Sequence, residues 1–187
     1  MGGVTAKVVV LDYGSGNLRS AQRALERVGA DVVVTADPDA VANADGLVVP
    51  GVGAFEACMT GLRAIGGEKI IAERVAAGRP VLGVCVGMQI LFARGVEFGV
   101  ESVGCGQWPG SVTRLDAPVV PHMGWNQVRQ DHQHPIWDGI PDLTSFYFVH
   151  SYYVVPQRKE DIAGSTEYGD WFTSAVARDN IFATQFH

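Results

Sequence analysis

Through the first half of the chain, short β-branched runs alternate with segments of helical period. Lys7 to Leu11 is a compact apolar run closed by Asp12-Tyr13-Gly14-Ser15-Gly16, the pattern of a buried strand. Asn17 offers a cap to a helix through Leu18, Ala21, Leu25 and Val28, which Gly29 stops. Asp31 to Thr35 and Gly46 to Val49 read as the next two strands. Two helical segments follow, Ala54 to Ile65 and Glu68 to Ala77, the second ended by Gly78. Pro80 to Val84 is then a fourth strand and Gly87 to Arg94 a helix. This alternation predicts an α/β fold with a single open, mostly parallel twisted sheet and helices on both faces.

The second half changes character. Ser111 to Leu115, Asn126 to Arg129, Ser145 to Val155, Ile162 to Glu167, Thr173 to Arg178 and Ile181 to His187 all read as extended. Arg178-Asp179-Asn180 reads as a tight hairpin turn between the last two. These strands form a mixed or antiparallel part added to the same sheet in the C-terminal half. No repeat, low-complexity stretch or linker interrupts the chain, so residues 1–187 are expected to form one domain.

Composition narrows the class. Apolar residues make up 47% and charged residues 18%, which suits a globular protein and argues against disorder. The net charge is −6, and Lys and Arg are scattered singly rather than gathered on a basic face, so nucleic-acid binding is not expected. Met1 to Ala6 is short and uncharged, unlike a secretory signal, and the longest apolar stretch, Val81 to Ala93, is too short and too interrupted to span a bilayer. Cys58, Cys85 and Cys105 are irregularly spaced, forming neither a disulfide framework nor a zinc pair. Three thiols suit a reducing, cytoplasmic setting, with no metal and no cofactor implied.

One cysteine stands in a special context. In Val81-Leu82-Gly83-Val84-Cys85-Val86-Gly87-Met88-Gln89 a buried strand runs into Gly-x-Cys-x-Gly and then into a helix. This is a nucleophile elbow with sulfur in place of the hydroxyl. The turn is tight, so its flanks must be small, and Gly83 and Gly87 are. At a helix N-terminus the dipole favours thiolate, and the Val86 N–H would point at a developing oxyanion. A free cysteine is ordinarily a small buried hydrophobe; strand, glycines and helix together favour the nucleophile. Cys58, in a helical pattern, reads as packing.

Pro50-Gly51-Val52-Gly53 lies at the C-terminal end of the third strand, where open α/β sheets bind ligands. Its backbone amides can complete an oxyanion hole with Val86, although a Gly-x-Gly by itself serves equally as a plain turn. Asp12 to Asn17 lacks the last glycine of a phosphate cradle and reads as a strand-to-helix turn. A thiolate needs an imidazole to return its proton to the leaving amine. His132 and His134 sit in a polar stretch and read as surface. His122, His150 and His187 all remain candidates on periodicity alone.

Six stretches carry a resemblance: 11–18 (Leu-Asp-Tyr-Gly-Ser-Gly-Asn-Leu), 50–55 (Pro-Gly-Val-Gly-Ala-Phe), 83–89 (Gly-Val-Cys-Val-Gly-Met-Gln), 121–126 (Pro-His-Met-Gly-Trp-Asn), 147–152 (Tyr-Phe-Val-His-Ser-Tyr) and 183–187 (Ala-Thr-Gln-Phe-His). Together they resemble the class I (triad-type) glutamine amidotransferases, and among them the glutaminase subunits of imidazole glycerol phosphate synthases. That resemblance implies Cys85 as nucleophile, His187 as base, and Gly51, Val52, Gly53 and Val86 around the oxyanion. It implies Gln89, Ser151 and Tyr152 as contacts of the substrate glutamine, and Trp125 and Asn126 near a subunit contact. It also implies a heterodimer in histidine biosynthesis, in which ammonia passes to a cyclase subunit of (β/α)₈ barrel form. In the family the last motif continues as Pro-Glu, the Glu orienting the imidazole; this chain stops at His187, and an incomplete copy is the expectation. Three rivals remain: a Cys hydrolase using Asp138 or Asp142 ahead of its histidine, a non-catalytic binding module, and a glutaminase subunit of another synthase, such as that of pyridoxal phosphate synthesis.

Overall fold

The computed structural model describes residues 3–187; Met1 and Gly2, which begin both the 1–187 domain and the uncharged N-terminal segment, lie outside the described residues. In chain order the elements are β1 (Lys7–Leu11), α1 (Leu18–Arg27), β2 (Asp31–Thr35), α2 (Pro38–Asn43), β3 (Gly46–Val49), α3 (Phe55–Ala64), α4 (Gly67–Ala76), β4 (Val81–Val84) and α5 (Val86–Gln89). The second half contains β5 (Phe92–Glu97), β6 (Val100–Val103), β7 (Trp108–Arg114), β8 (His122–Gln127), β9 (Arg129–Gln130), β10 (Ser145–His150), β11 (Tyr152–Pro156), β12 (Ile162–Tyr168), β13 (Asp170–Arg178) and β14 (Ile181–Thr184).

The main sheet runs β2-β1-β3-β4-β14-β13-β11-β7-β5-β6, with β12 and β9 continuing beside β13. From β2 to β14 neighbouring strands are parallel. At β14 the sheet changes sense, because the Asp179-Asn180 turn pairs β14 antiparallel with β13. The last strand of the chain is therefore the joint between the two halves, and it lies directly beside the strand that carries Cys85. β8 and β10 form a separate antiparallel ribbon.

Alternation along the parallel strands sorts side chains to the two faces. Val9, Leu11, Leu47, Val49, Val81 and Ala183 join Phe55, Met59, Leu62 and Ile71 in the core beneath α2, α3 and α4. Val48, Leu82 and Val84 face the other way and line an apolar pocket under Ala21, Ala24 and Leu25 of α1. No helix among the described residues is long and apolar enough to cross a membrane.

Two expectations are corrected. The helix expected over Gly87–Arg94 ends at Gln89, and Phe92–Glu97 is a strand. Met88, Ile90, Leu91 and Phe92 are all fully buried, so the run carries no one-sided period to distinguish helix from strand. The extended form wins because it stacks Phe92 on Trp108, centroids 5.6 Å apart, and lays Gly95 against Phe55. The single strand expected over Ser145–Val155 breaks at Ser151: β10 pairs with β8, whereas β11 pairs with β7 in the main sheet. The short α2, capped by Asp37 on the Ala40 N–H at 3.2 Å, and the edge strand β6 had no expectation.

Candidate active site

Cys85 sits where β4 turns into α5, at φ 58° and ψ −121°. A non-glycine residue held there is strained, and the surroundings enforce it. The Cys85 N–H donates to the Thr184 carbonyl at 2.8 Å, tying the turn to β14. A Cβ on Gly87 would lie 1.9 Å from the Val49 carbonyl oxygen, and one on Gly83 2.7 Å from Leu91 Cδ1. Glycine at both flanks is thus a packing requirement.

The thiol is 5% exposed. Burial pushes it up to about 11, although the Val86 N–H and the Gln185 amide, both facing the sulfur, pull the other way. The helix N-terminus expected to favour thiolate is thus set against a larger opposing effect. A helix of four residues sums few peptide dipoles, and desolvation outweighs it.

The Pro50–Gly53 loop rests on the elbow. A Cβ on Gly51 would come within 2.5 Å of Gly87 N, so only glycine permits this approach. Tyr13 donates its hydroxyl to the Pro50 carbonyl. Beyond it, Ser15 Oγ accepts the Val52 N–H at 3.1 Å and donates to the Val52 carbonyl at 2.9 Å. The Cys58 thiol donates to that same carbonyl at 3.2 Å. The Val52 amide is therefore satisfied by Ser15, while Val52 and Gly53 themselves line the cleft above Cys85.

That cleft, about 430 Å³, is bordered by Val52, Gly53, Cys85, Val86, Gln89, Glu97, His150, Ser151, Tyr152 and His187. Two of the three open imidazoles thus face the sulfur's cleft, and they differ. His150 is buried and has both ring nitrogens engaged, Nε2 with His122 Nδ1 at 2.9 Å and Nδ1 with the Tyr152 carbonyl at 2.8 Å. Burial lowers it to about 4, so it is neutral. His187 is exposed, its backbone N–H fixed to the Tyr147 carbonyl at 3.1 Å and its ring without a hydrogen-bond partner among the described residues. Partial burial lowers it too, leaving a neutral imidazole free to take a proton. His122 lies behind His150, stacked on Phe148 and Tyr168.

Gln89, Ser151 and Tyr152 all reach the cleft. Gln89 is the most constrained: its Nε2 donates to the Tyr152 carbonyl at 3.2 Å and to Gln185 Oε1 at 3.0 Å. Trp125 and Asn126 fall on opposite faces of β8. Trp125 is 74% exposed and edge-on to Tyr147, whereas Asn126 turns inward to the Glu167 carbonyl at 2.9 Å and His122 at 3.2 Å. Asp142 is bound to the Gln130 N–H, and neither it nor Asp138 borders the cleft.

Two residues escaped the sequence reading. Glu97, the carboxylate bordering the cleft, arrives on β5, within a strand that periodicity had partly assigned to a helix. Gln185 places Nε2 3.7 Å from Cys85 Sγ. Its proximity to His187 in one short motif was the available signal, but a buried glutamine in a strand tail has no distinctive pattern.

A thiol on a strained strand-to-helix turn, a glycine loop over it and a free imidazole just beyond the adjoining strand are the constellation of a cysteine hydrolase of the α/β type. The sequence matches the family described as glutamine amidotransferase class-I over residues 9–187, and the chain belongs to that family. It is 68% identical over 182 residues to the "Imidazole glycerol phosphate synthase subunit HisH" of Mycolicibacterium paratuberculosis, covering 96% of this chain and 88% of that one. It is 65% identical over 189 residues to the protein of the same name from Mycobacterium tuberculosis, covering 98% and 91%. The solved structure of PurLQS from Thermotoga maritima superposes with a TM-score of 0.74 at 17% identity, over 98% of this chain and 88% of that one, a likeness of fold.

Proposed function

We propose that this chain is the glutaminase subunit of an imidazole glycerol phosphate synthase and that the whole of it forms one amidotransferase domain. The observation that carries the chemistry is Cys85 at the elbow, sharing a cleft with the unengaged imidazole of His187.

In this reading His187 takes the Cys85 thiol proton, the resulting thiolate attacks the side-chain carbonyl carbon of glutamine, and the Val86 N–H holds the oxyanion. Gly51, Val52 and Gly53 shape the other side of the oxyanion site. Release of the Val52 N–H from Ser15 Oγ would add a second donor there, so the loop's orientation sets the reaction rate. The C–N bond breaks as His187 protonates the departing ammonia, leaving a glutamyl thioester. His187 then takes a proton from water, which adds to the thioester carbonyl and expels the sulfur as glutamate forms. Ser151 and Tyr152 bind the amino-acid end of the substrate. Glu97 is placed to meet its ammonium group, since it is the carboxylate of the cleft wall.

The ammonia passes to a partner, a cyclase subunit of (β/α)₈ barrel form in cytoplasmic histidine biosynthesis. A surface suited to a partner lies beside the cleft: Met123, Trp125, Tyr147 and Val149 project from the outer face of the β8–β10 ribbon, all exposed. Such aromatic-rich exposed patches mark interfaces. Asn126 supports that ribbon from within.

Cys85→Ala in the full chain, assayed with its partner, is expected to abolish glutamine hydrolysis. Unchanged ammonia release from that variant refutes the assignment.

A further inference from the structure

Cys85 Sγ stands at the end of a buried chain of hydrogen bonds whose direction is fixed along its length. The Tyr152 carbonyl can only accept. Gln89 must therefore present its amide nitrogen there, at 3.2 Å. The second hydrogen on that nitrogen then requires an acceptor, and Gln185 Oε1 supplies it at 3.0 Å. With its oxygen so engaged, Gln185 has only its nitrogen left to face the sulfur, at 3.7 Å. Both glutamines are nearly sealed from solvent, 3% and 1% exposed, so water cannot substitute for either partner.

The other lone pair of the Tyr152 carbonyl carries the argument outward. It accepts from His150 Nδ1 at 2.8 Å, which fixes the tautomer and leaves His150 Nε2 as an acceptor. His122 Nδ1 is then the donor to it at 2.9 Å, and His122 Nε2 accepts from Asn126 Nδ2 at 3.2 Å. Asn126 is itself pinned, its amide nitrogen on the Glu167 carbonyl at 2.9 Å and its oxygen on the Gln127 N–H at 2.8 Å. Every link agrees with one polarity, anchored by the carbonyls of Tyr152 and Glu167.

We infer that Gln185 is the side chain that stabilises the Cys85 thiolate when it forms, and that Gln89 is a positioning residue which imposes the donor orientation on it. The inference rests on the reading of Cys85 as nucleophile. A donor aimed at sulfur is matched to the anion and stabilises it more than the neutral thiol. A neutral amide does so without adding a cation that would compete with His187 for charge. The donor opposes a burial that otherwise favours the thiol. The titratable groups around the sulfur are His187, His150 and Glu97 across the cleft and Cys58 behind it; none of them hydrogen-bonds Sγ among the described residues. It follows that Gln89, whose two amide hydrogens are both taken, contacts substrate at most through its oxygen.

The test is the pH dependence of iodoacetamide alkylation in the full chain, read on the Cys85 peptide by mass spectrometry so that Cys58 and Cys105 do not contribute. Gln185→Leu is expected to raise the alkylation midpoint by about one pH unit, a roughly tenfold slower reaction at fixed pH below it, with the plateau rate unchanged. Gln89→Leu is expected to raise it by less, and to add nothing in the Gln185→Leu background. An unmoved midpoint in Gln185→Leu overturns the inference, as does a further shift when Gln89→Leu is added to it. If Gln185→Leu does not fold, Gln89→Leu decides alone, an unmoved midpoint again being fatal. The nucleophile reading is checked separately: it fails if alkylated wild type still hydrolyses glutamine, whatever the glutamine variants do.

Discussion

One wall of the cleft comes from contiguous chain. Residues 81–89 carry the strand, both small flanks, the sulfur and the Val86 N–H, and their turn is held by close backbone approaches, Val49 to Gly87 and Thr184 to Cys85. The opposite wall is gathered from three places: Glu97 on β5, His150 to Tyr152 at the break between β10 and β11, and His187 beyond β14. There, position is held by long-range hydrogen bonds such as Gln89 to Tyr152 and Gln185 to Gln89, 63 and 96 residues apart in sequence. The elbow is thus fixed by local sterics and the facing wall by a network. Damage should propagate differently: a wrong atom at the elbow acts by clash, while a lost donor opposite acts through charge and tautomer.

The largest contrast lies between the two imidazoles of the cleft. His187→Ala is expected to lower kcat for glutamine hydrolysis, with the partner present, by about 10²–10⁴-fold, the usual range for a lost general acid–base. His150→Gln should retain much more of the rate. The reverse order in steady-state kinetics would exchange their roles.

A second difference is visible in stability. Burial holds His150 near 4 against an ordinary 6.5. Between those values the unfolded chain binds a proton that the folded chain refuses. The contribution is therefore full above 6.5 and is lost as pH falls toward 4, to a limit on the order of 3 kcal/mol. Thermal unfolding of wild type should weaken through that window more steeply than that of His150→Gln. Equal slopes would show that the buried pair titrates freely.

The elbow can be challenged by one methyl group. Gly87→Ala drives a Cβ to 1.9 Å from the Val49 carbonyl, backbone against backbone. It is expected to reduce stability by about 1–3 kcal/mol as an overpacked site, read from the denaturant midpoint. Gly164→Ala, in the antiparallel half, meets only side-chain atoms, the nearest at 3.0 Å, a much smaller overlap, and should lose less. Similar losses at both would mean that the elbow is no tighter than an ordinary strand.

Legibility follows the same division. β1, β2 and β3 appear at the residues expected of them, because β-branched runs bounded by aspartate, glycine and proline need no distant partner to be recognised. The elbow was legible for a related reason: a strained φ and two close approaches leave a local trace as paired glycines. The histidine was legible only through the family resemblance. His122, His150 and His187 are equivalent to a periodicity argument, and only the folded chain shows that two of them share the cleft and that one of those has both nitrogens occupied. Phe92–Arg94, the start of β5, was read as the end of a helix because the run leading into it, 85–92, is buried throughout and has no face. The division of 145–155 was invisible because strand alternation is the same whichever sheet receives it.

By itself, then, the sequence determined the parallel layout, the family and the place of the Cys85 sulfur on its turn, all of which depend on close-range sterics and on motifs that read in one direction along the chain. Tertiary structure alone decided the ionisation of that sulfur, the tautomers behind it, the engagement of Val52 with Ser15 and the donor at Gln185. Those properties depend on desolvation and hydrogen-bond polarity, which are sums over neighbours up to a hundred residues away and exist only once the neighbours have met.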